Sequence, residues 1–201
     1  DAMRPHNMLP IGLRWLLFHD GPAASSHPEA GGFIRSRAGV RHPDIQFHFG
    51  LGTGIGAGIA KLKNGGITLN AAHVRPRSRG SVRLASNDPA AAPLIDPNYF
   101  ADPYDRDTAL KALRIARDIL QQEALKPFLM AERLPGPERQ SDEDVFDYVC
   151  GMAKTQHHPA CSCAMGHGVM AVTSPADLRV HGLQGLRISD ASVMPAITSG
   201  N

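Results

Sequence analysis

The residues best suited to chemistry fall in one short stretch, His157-His158-Pro159-Ala160-Cys161-Ser162-Cys163, with His167 close behind. Imidazole and thiolate are good zinc ligands, so one reading is a metal-binding module built from His157, His158, Cys161, Cys163 and His167. Against it, the two cysteines are separated by a single residue rather than the roughly two to four usual between zinc cysteines. The only other cysteine, Cys150, supplies no second pair. A second reading pairs a cysteine nucleophile with a histidine, which requires a third group to orient the base. A third takes one histidine as a general base, since an imidazole titrating near pH ~6.5 can accept a hydroxyl proton at neutral pH. Pro159 biases the residue before it, His158, toward extended backbone, and a strand-like backbone would aim its ring in one direction. In the plainest reading the cysteines are small buried hydrophobes and the histidines ordinary polar groups.

A second chemical signal is weaker. Gly52-Thr53-Gly54-Ile55-Gly56-Ala57 imitates the G-x-G-x-x-A turn that brings backbone amides to a pyrophosphate at a helix N-terminus. That fingerprint needs an acidic residue about 20 positions later to bind the ribose. The next acid here is Asp88, 31 positions beyond Ala57, and the intervening Lys61-Leu62-Lys63-Asn64-Gly65-Gly66 is turn-like. The run reads as a glycine-rich loop.

The elements that must position these groups can be sketched from pattern. The chain has 201 residues, 42% hydrophobic and 20% charged, enough apolar material for a core. Twenty glycines and 16 prolines imply many turns and irregular connections. A net charge of +2, with basic residues spread along the chain, excludes a dominant nucleic-acid footprint. Three cysteines are too few for a disulfide framework. No apolar run approaches the roughly 18–20 residues that span a bilayer; the best, Ile11 to Phe18, contains Arg14.

A short helix is expected around Leu13–Phe18, with β-like runs at 32–35, 44–49, 66–74 and 81–85. In the second run Ile45, Phe47 and Phe49 alternate with Gln46 and His48, giving a strand with two different faces. Asn87-Asp88-Pro89 and Asp96-Pro97-Asn98 read as turns. The clearest helix is Asp105 to Gln122, with Ala109, Leu113, Ala116 and Leu120 on one face. Ser141 followed by Asp144 starts a second helix running to about Met152. Further strand-like pieces lie near 155–161 and 186–189. The class is α+β, a mostly antiparallel sheet with flanking helices.

Longer stretches carry a resemblance. TQHHPACSCAMG (155–166) and SPADLRVHGLQGLRISDASVMPAITSGN (174–201) closely resemble the C-terminal signature of the glucose–methanol–choline family of flavoprotein oxidoreductases. HVRPRSRGSVRLASNDPAAAPLIDPNYF (73–100) is similar to the segment between that family's substrate domain and its catalytic C-terminal part. GPAASSHPEAGGFIRSR and HPDIQFHFG, within 21–50, resemble its choline-dehydrogenase-like members.

The resemblance implies oxidation of an alcohol to an aldehyde or ketone, with hydride passing to N5 of FAD. His158, directly before Pro159, matches the family's acid/base histidine. Asn201, 43 positions on, matches its partner at the end of the S-G-N stretch. A carboxamide there would stabilise the substrate oxygen, and the two groups would hold the carbinol in attack geometry. Asp190, Ala191 and Pro159 match cofactor-binding positions, and His48 a strand lining the substrate pocket. Glu29 matches a carboxylate that could attract a cationic substrate or simply stabilise its turn. Where relatives have H-P-x-G-T, this chain has Cys161 and Ser162, a change expected to alter flavin contacts.

The expected substrate is a small alcohol, choline or another aliphatic one; the electron acceptor is left open between oxygen and a quinone-type carrier. Residues 1–154, including the connecting segment 73–100, are expected to form a portion of the substrate-binding domain. Residues 155–201 are expected to be a partial C-terminal piece of the FAD-binding domain. The family's ADP-binding fingerprint is not found in this sequence. The chain therefore reads as the C-terminal part of such an enzyme, expected to bind FAD weakly or not at all and to turn over nothing alone. Rival readings are the metal-binding module above and a non-catalytic remnant or subunit of a split enzyme.

Overall fold

The alternating run at 45–49 forms the central strand of a three-stranded antiparallel sheet. A computed structural model describes residues 5–25, 29–52 and 65–200. Its sheet comprises β1 (Ala30–Ile34), β2 (Ile45–Leu51) and β3 (Ile67–His73), in that order. β1 pairs with β2 from Ala30↔Phe49 to Ile34↔Ile45, and β2 with β3 from Ile45↔His73 to Leu51↔Ile67. Because paired residues share a face, Ile34, Ile45, Phe47 and Leu69 form one side and Phe33, Gln46, His48, Asn70 and Ala72 the other. The first side is closed by α2 (Pro103–Leu120), whose Ala112, Ile115, Ala116 and Ile119 pack on Ile45 and Phe47.

Local chemistry explains α2. The Asp102 side chain accepts the Tyr104 amide at 2.8 Å, Pro103 opens the first turn, and Arg117 lies in the last. The face that meets the sheet is rotated from the expected one: the buried residues are Asp105, Thr108, Leu110, Ala112 and Ala116. Alanines let the helix lie close to the sheet, and a second partner takes other positions. That partner is α3 (Asp142–Met152), which begins where its Ser141–Asp144 cap predicts and is tied to α2 by the Arg114–Asp142 ion pair.

The N-terminal helix α1 runs from Pro5 to Phe18, longer than expected, with no buried residue. A hairpin of β4 (Ser81–Arg83) and β5 (Leu94–Asp96) follows the main sheet. β5 was hidden in the sequence by the turn signals at both its ends. The strand-like pieces expected at 155–161 and 186–189 are not strands. The C-terminal segment has only isolated bridges, Met165↔Thr173, Thr173↔Val180 and Arg179↔Arg187. Left-handed backbone at His157 (φ 63°) and Cys161 (φ 74°) breaks the extended path that Pro159 suggested.

A buried polar cluster joins the sheet to α2. Asp44, fully buried, accepts from the Ser36 amide and hydroxyl and from the Tyr104 hydroxyl, at 2.6–2.7 Å. Asp105 accepts from the Arg77 and Ser78 amides and the Ser78 hydroxyl. The Arg37 and Arg77 guanidiniums both stack on the Tyr104 ring. The chain leaving β3, residues 74–79, is thereby fixed, and the C-terminal segment rests against it.

Candidate active site

His158 and Pro159 precede a stretch bonded along its length to the turn that follows Asp190. The amides of Cys161, Cys163 and Met165 donate to the carbonyls of Ala191, Ser192 and Val193, at 3.3, 2.9 and 2.8 Å. Residues 191–193 form a 3₁₀ turn with Asp190 as its cap: the carboxylate accepts the Ser192 amide at 2.8 Å. Two buried residues anchor the arrangement, Val193 and Thr173, whose hydroxyl donates to the Cys163 carbonyl. Candidate positions some thirty residues apart in sequence thus become neighbours across a backbone ladder.

Asp190 is held below the ordinary carboxylate range by the Ser192 hydroxyl and amide, so it is an anion at neutral pH. The His157, His158 and Pro159 side chains are exposed on the same loop, and the His157 amide is taken by the Thr155 hydroxyl. Burial pushes the Cys161 thiol up, although Arg79 opposes it. A thiol in that state is a poor nucleophile at neutral pH. Among the described residues no group of three or more His, Cys, Asp or Glu side chains is placed to hold a metal ion.

The end of the chain returns to the sheet. Arg75, two residues past β3, donates from Nη2 to the Ser199 hydroxyl at 2.7 Å. A Cβ at Gly200 would lie 3.6 Å from Phe33 Cζ. Phe33 occupies the sheet face opposite α2, the face that also carries half-buried His48 and buried Gln46. Gln46 Oε1 has no hydrogen-bond partner among the described residues. A cavity of about 150 Å³ lies between Arg75, Pro76 and Arg79 on one side and Ala196 and Ile197 on the other.

Of the sequence-derived site residues, Ala191 lies on the ladder and Asp190 caps its turn, His158 and Pro159 directly precede the ladder's first residues, and Ser199 bonds to Arg75 beyond the strand that pairs with β2. His48 and His158 share no hydrogen bond. Asn201 and the glycine-rich run from Thr53 onward lie outside the described residues. Glu29 is exposed, and its carboxylate accepts from the Ser25 hydroxyl. Arg75, Phe33 and Gln46 were not singled out from sequence. Gln46 could have been, since it alternates with His48; nothing local marks Arg75.

Comparison with known proteins decides the family. The sequence profile described as GMC oxidoreductase matches residues 76–201. The chain belongs to the GMC oxidoreductases. It is 45% identical over 201 residues to the oxygen-dependent choline dehydrogenase of Paraburkholderia phymatum, covering 100% of this chain and 35% of that protein. It is 39% identical to the mitochondrial choline dehydrogenase of Mus musculus, over 100% of this chain and 34% of that one. Among solved structures, pyridoxine 4-oxidase from Mesorbium loti superposes with a TM-score of 0.73 at 31% identity, covering 87% of this chain and 34% of that chain. The chain spans about a third of the length of the curated relatives it matches.

GMC oxidoreductases are FAD enzymes, and the residues present fit part of that cofactor. Asp190 uses one oxygen to cap its turn and has acceptor positions left over on an exposed side chain. An ionised carboxylate suits the hydroxyl donors of a ribityl chain and repels a pyrophosphate, so the fit is to the former.

Proposed function

We propose that the intact protein oxidises an alcohol to an aldehyde or ketone with FAD, and that its substrate is choline or another small aliphatic alcohol. The similarity to two choline dehydrogenases supports the substrate class. The observation that supports the reading is the ladder from Cys161–Met165 to Ala191–Val193, which ties the stretch following His158-Pro159 to the turn that Asp190 caps. Asp190, Ala191 and Pro159 would hold the cofactor, which when bound supplies the hydride acceptor. The His158 imidazole takes the alcohol proton, and the Asn201 amide donates a hydrogen bond to the same oxygen. His48, on the sheet face opposite α2, lines the alcohol pocket. In this reading residues 1–154 contribute to substrate binding and 155–201 to the cofactor side.

The test is anaerobic reduction of the flavin by choline in the intact protein. His158→Ala should slow it by about 10²–10⁴-fold at unchanged flavin content. Reduction at near-normal rate rejects the assignment.

A further inference from the structure

We infer that the cleft between the β1–β2 loop and the start of α2 binds a phosphate-type oxyanion, either inorganic phosphate or the phosphate group of a small metabolite. The cleft has a volume of about 570 Å³ and is walled by loop residues 37–41, by Arg77 and by the Tyr104 ring. Residues 35–43 and 75–79, which run beside it, contain six arginines and no acidic residue. Three of the six, Arg37, Arg41 and Arg77, line the cleft itself. Charges of one sign around a concave wall concentrate the field there and draw in counter-ions. None of these residues takes part in the reaction proposed above, so the inference stands apart from it.

The walls are fixed from behind. The Tyr104 hydroxyl donates to buried Asp44 at 2.7 Å, which holds the ring, and the Arg37 and Arg77 guanidinium carbons lie 4.1 and 3.8 Å from the ring centroid. Arg35 donates to the Val40 and Arg41 carbonyls at 2.9 and 3.3 Å, closing the loop, and buried Asp105 binds the amides of Arg77 and Ser78. The nearby acids are already matched. Asp44 and Asp105 are buried among donors, and Asp107 takes Arg37 and Lys111 at 2.9 Å each. Arg37 is committed through Nε to Ser36 and through Nη2 to Thr108 and Asp107. Arg41 and Arg77 differ: among the described residues neither guanidinium has a hydrogen bond or an ion pair, and Arg77 has only its stacking on Tyr104. Each is a planar fork of N–H donors that matches the oxygens of a carboxylate or phosphate two at a time. A carboxylate is filled by one such fork, whereas a tetrahedral phosphate has oxygens for both.

The experiment titrates the intact protein calorimetrically with inorganic phosphate and, separately, with glycerol phosphate, at an ionic strength held constant with chloride. Arg41→Gln and Arg77→Gln are compared with Arg83→Gln, an exposed arginine on β4 that does not line the cleft. The wild type should bind one phosphate saturably, with a Kd of about 1 mM or tighter, and its unfolding temperature should rise with phosphate concentration. Arg41→Gln and Arg77→Gln should each weaken binding by about tenfold or more, and Arg83→Gln should leave it unchanged. If Arg77→Gln fails to fold, Arg41→Gln decides alone. Tighter binding of glycerol phosphate upholds the site and makes its ligand a phosphorylated metabolite; equal or weaker binding upholds it with the free ion as ligand. The absence of saturable binding by either probe overturns the inference. So does unchanged affinity in Arg41→Gln, or an equal loss in Arg83→Gln, which would mark attraction to overall charge rather than a site.

Discussion

Asp105 shows how much of the site's support rests on one buried side chain. It is 2% exposed and accepts two amides and a hydroxyl from the loop that carries Arg75. Replacing it by Ala leaves Arg77 and Ser78 donors without a partner in a place water does not reach. The expected cost is about 3 kcal/mol, read as a lower urea midpoint at unchanged slope. Asp105 was visible in sequence only as the start of a helix, because capping is local and its loop partners are 27 and 28 residues away. The motif histidine and Asp190 were singled out for the opposite reason: their residue types and neighbours carry the family resemblance, whatever the fold around them. Cys161 lies between. Its place in a histidine-rich run invited metal or nucleophile chemistry; burial argues against the second, and among the described residues no group of three or more ligands is placed for the first.

Among the elements, the two capped helices and the two strands β2 and β3 were all read within two residues of where they lie. Both α2 and α3 begin within two residues of the expected position, since Asp102, Pro103 and Ser141 act on the first turn alone. The face α2 buries was misjudged, because a helix between a sheet and another helix has two apolar sides and the sequence does not say which meets which. The β4–β5 hairpin was half seen. Its closest approach is at Gly80, where a Cβ would lie 2.0 Å from the Asp96 carbonyl oxygen and 2.8 Å from Pro97. Both obstacles are backbone, so neither can swing aside. Gly80→Ala should therefore destabilise the protein by about 2 kcal/mol, measured by thermal or chemical unfolding. Wild-type stability in that variant would mean the hairpin separates at no cost.

At the scale of the whole molecule the buried cluster makes stability depend on pH. Burial lowers the pKa of His73, outweighing Asp105 and Asp44, which favour its charged form. The unfolded chain therefore binds a proton near pH ~6.5 that the folded one resists, so this stability is present above that pH and lost as pH falls below it. Burial alone would raise Asp44 and Asp105. The bonds from Ser36 and Tyr104 to the first, and from Ser78 and Arg77 to the second, outweigh it and hold both below the carboxylate range. Their stabilisation is present above about pH 4 and is lost as pH falls through the lowered values. The melting temperature should decline in two stages from pH 7 downward, and a rise between pH 7 and 5 would contradict the assignment.

By itself the sequence determined the α+β class, the helix starts and the family-bearing residues around His158, Asp190 and the S-G-N end. These rest on capping, alternation and residue chemistry within a few positions. The tertiary structure alone decided that Cys161–Met165 lies along Ala191–Val193, and that Arg75 bonds to Ser199. Those contacts join segments up to 124 residues apart. Over that separation no periodicity or turn signal links the partners, and only the closing of the sheet, its helix and the buried cluster brings them together.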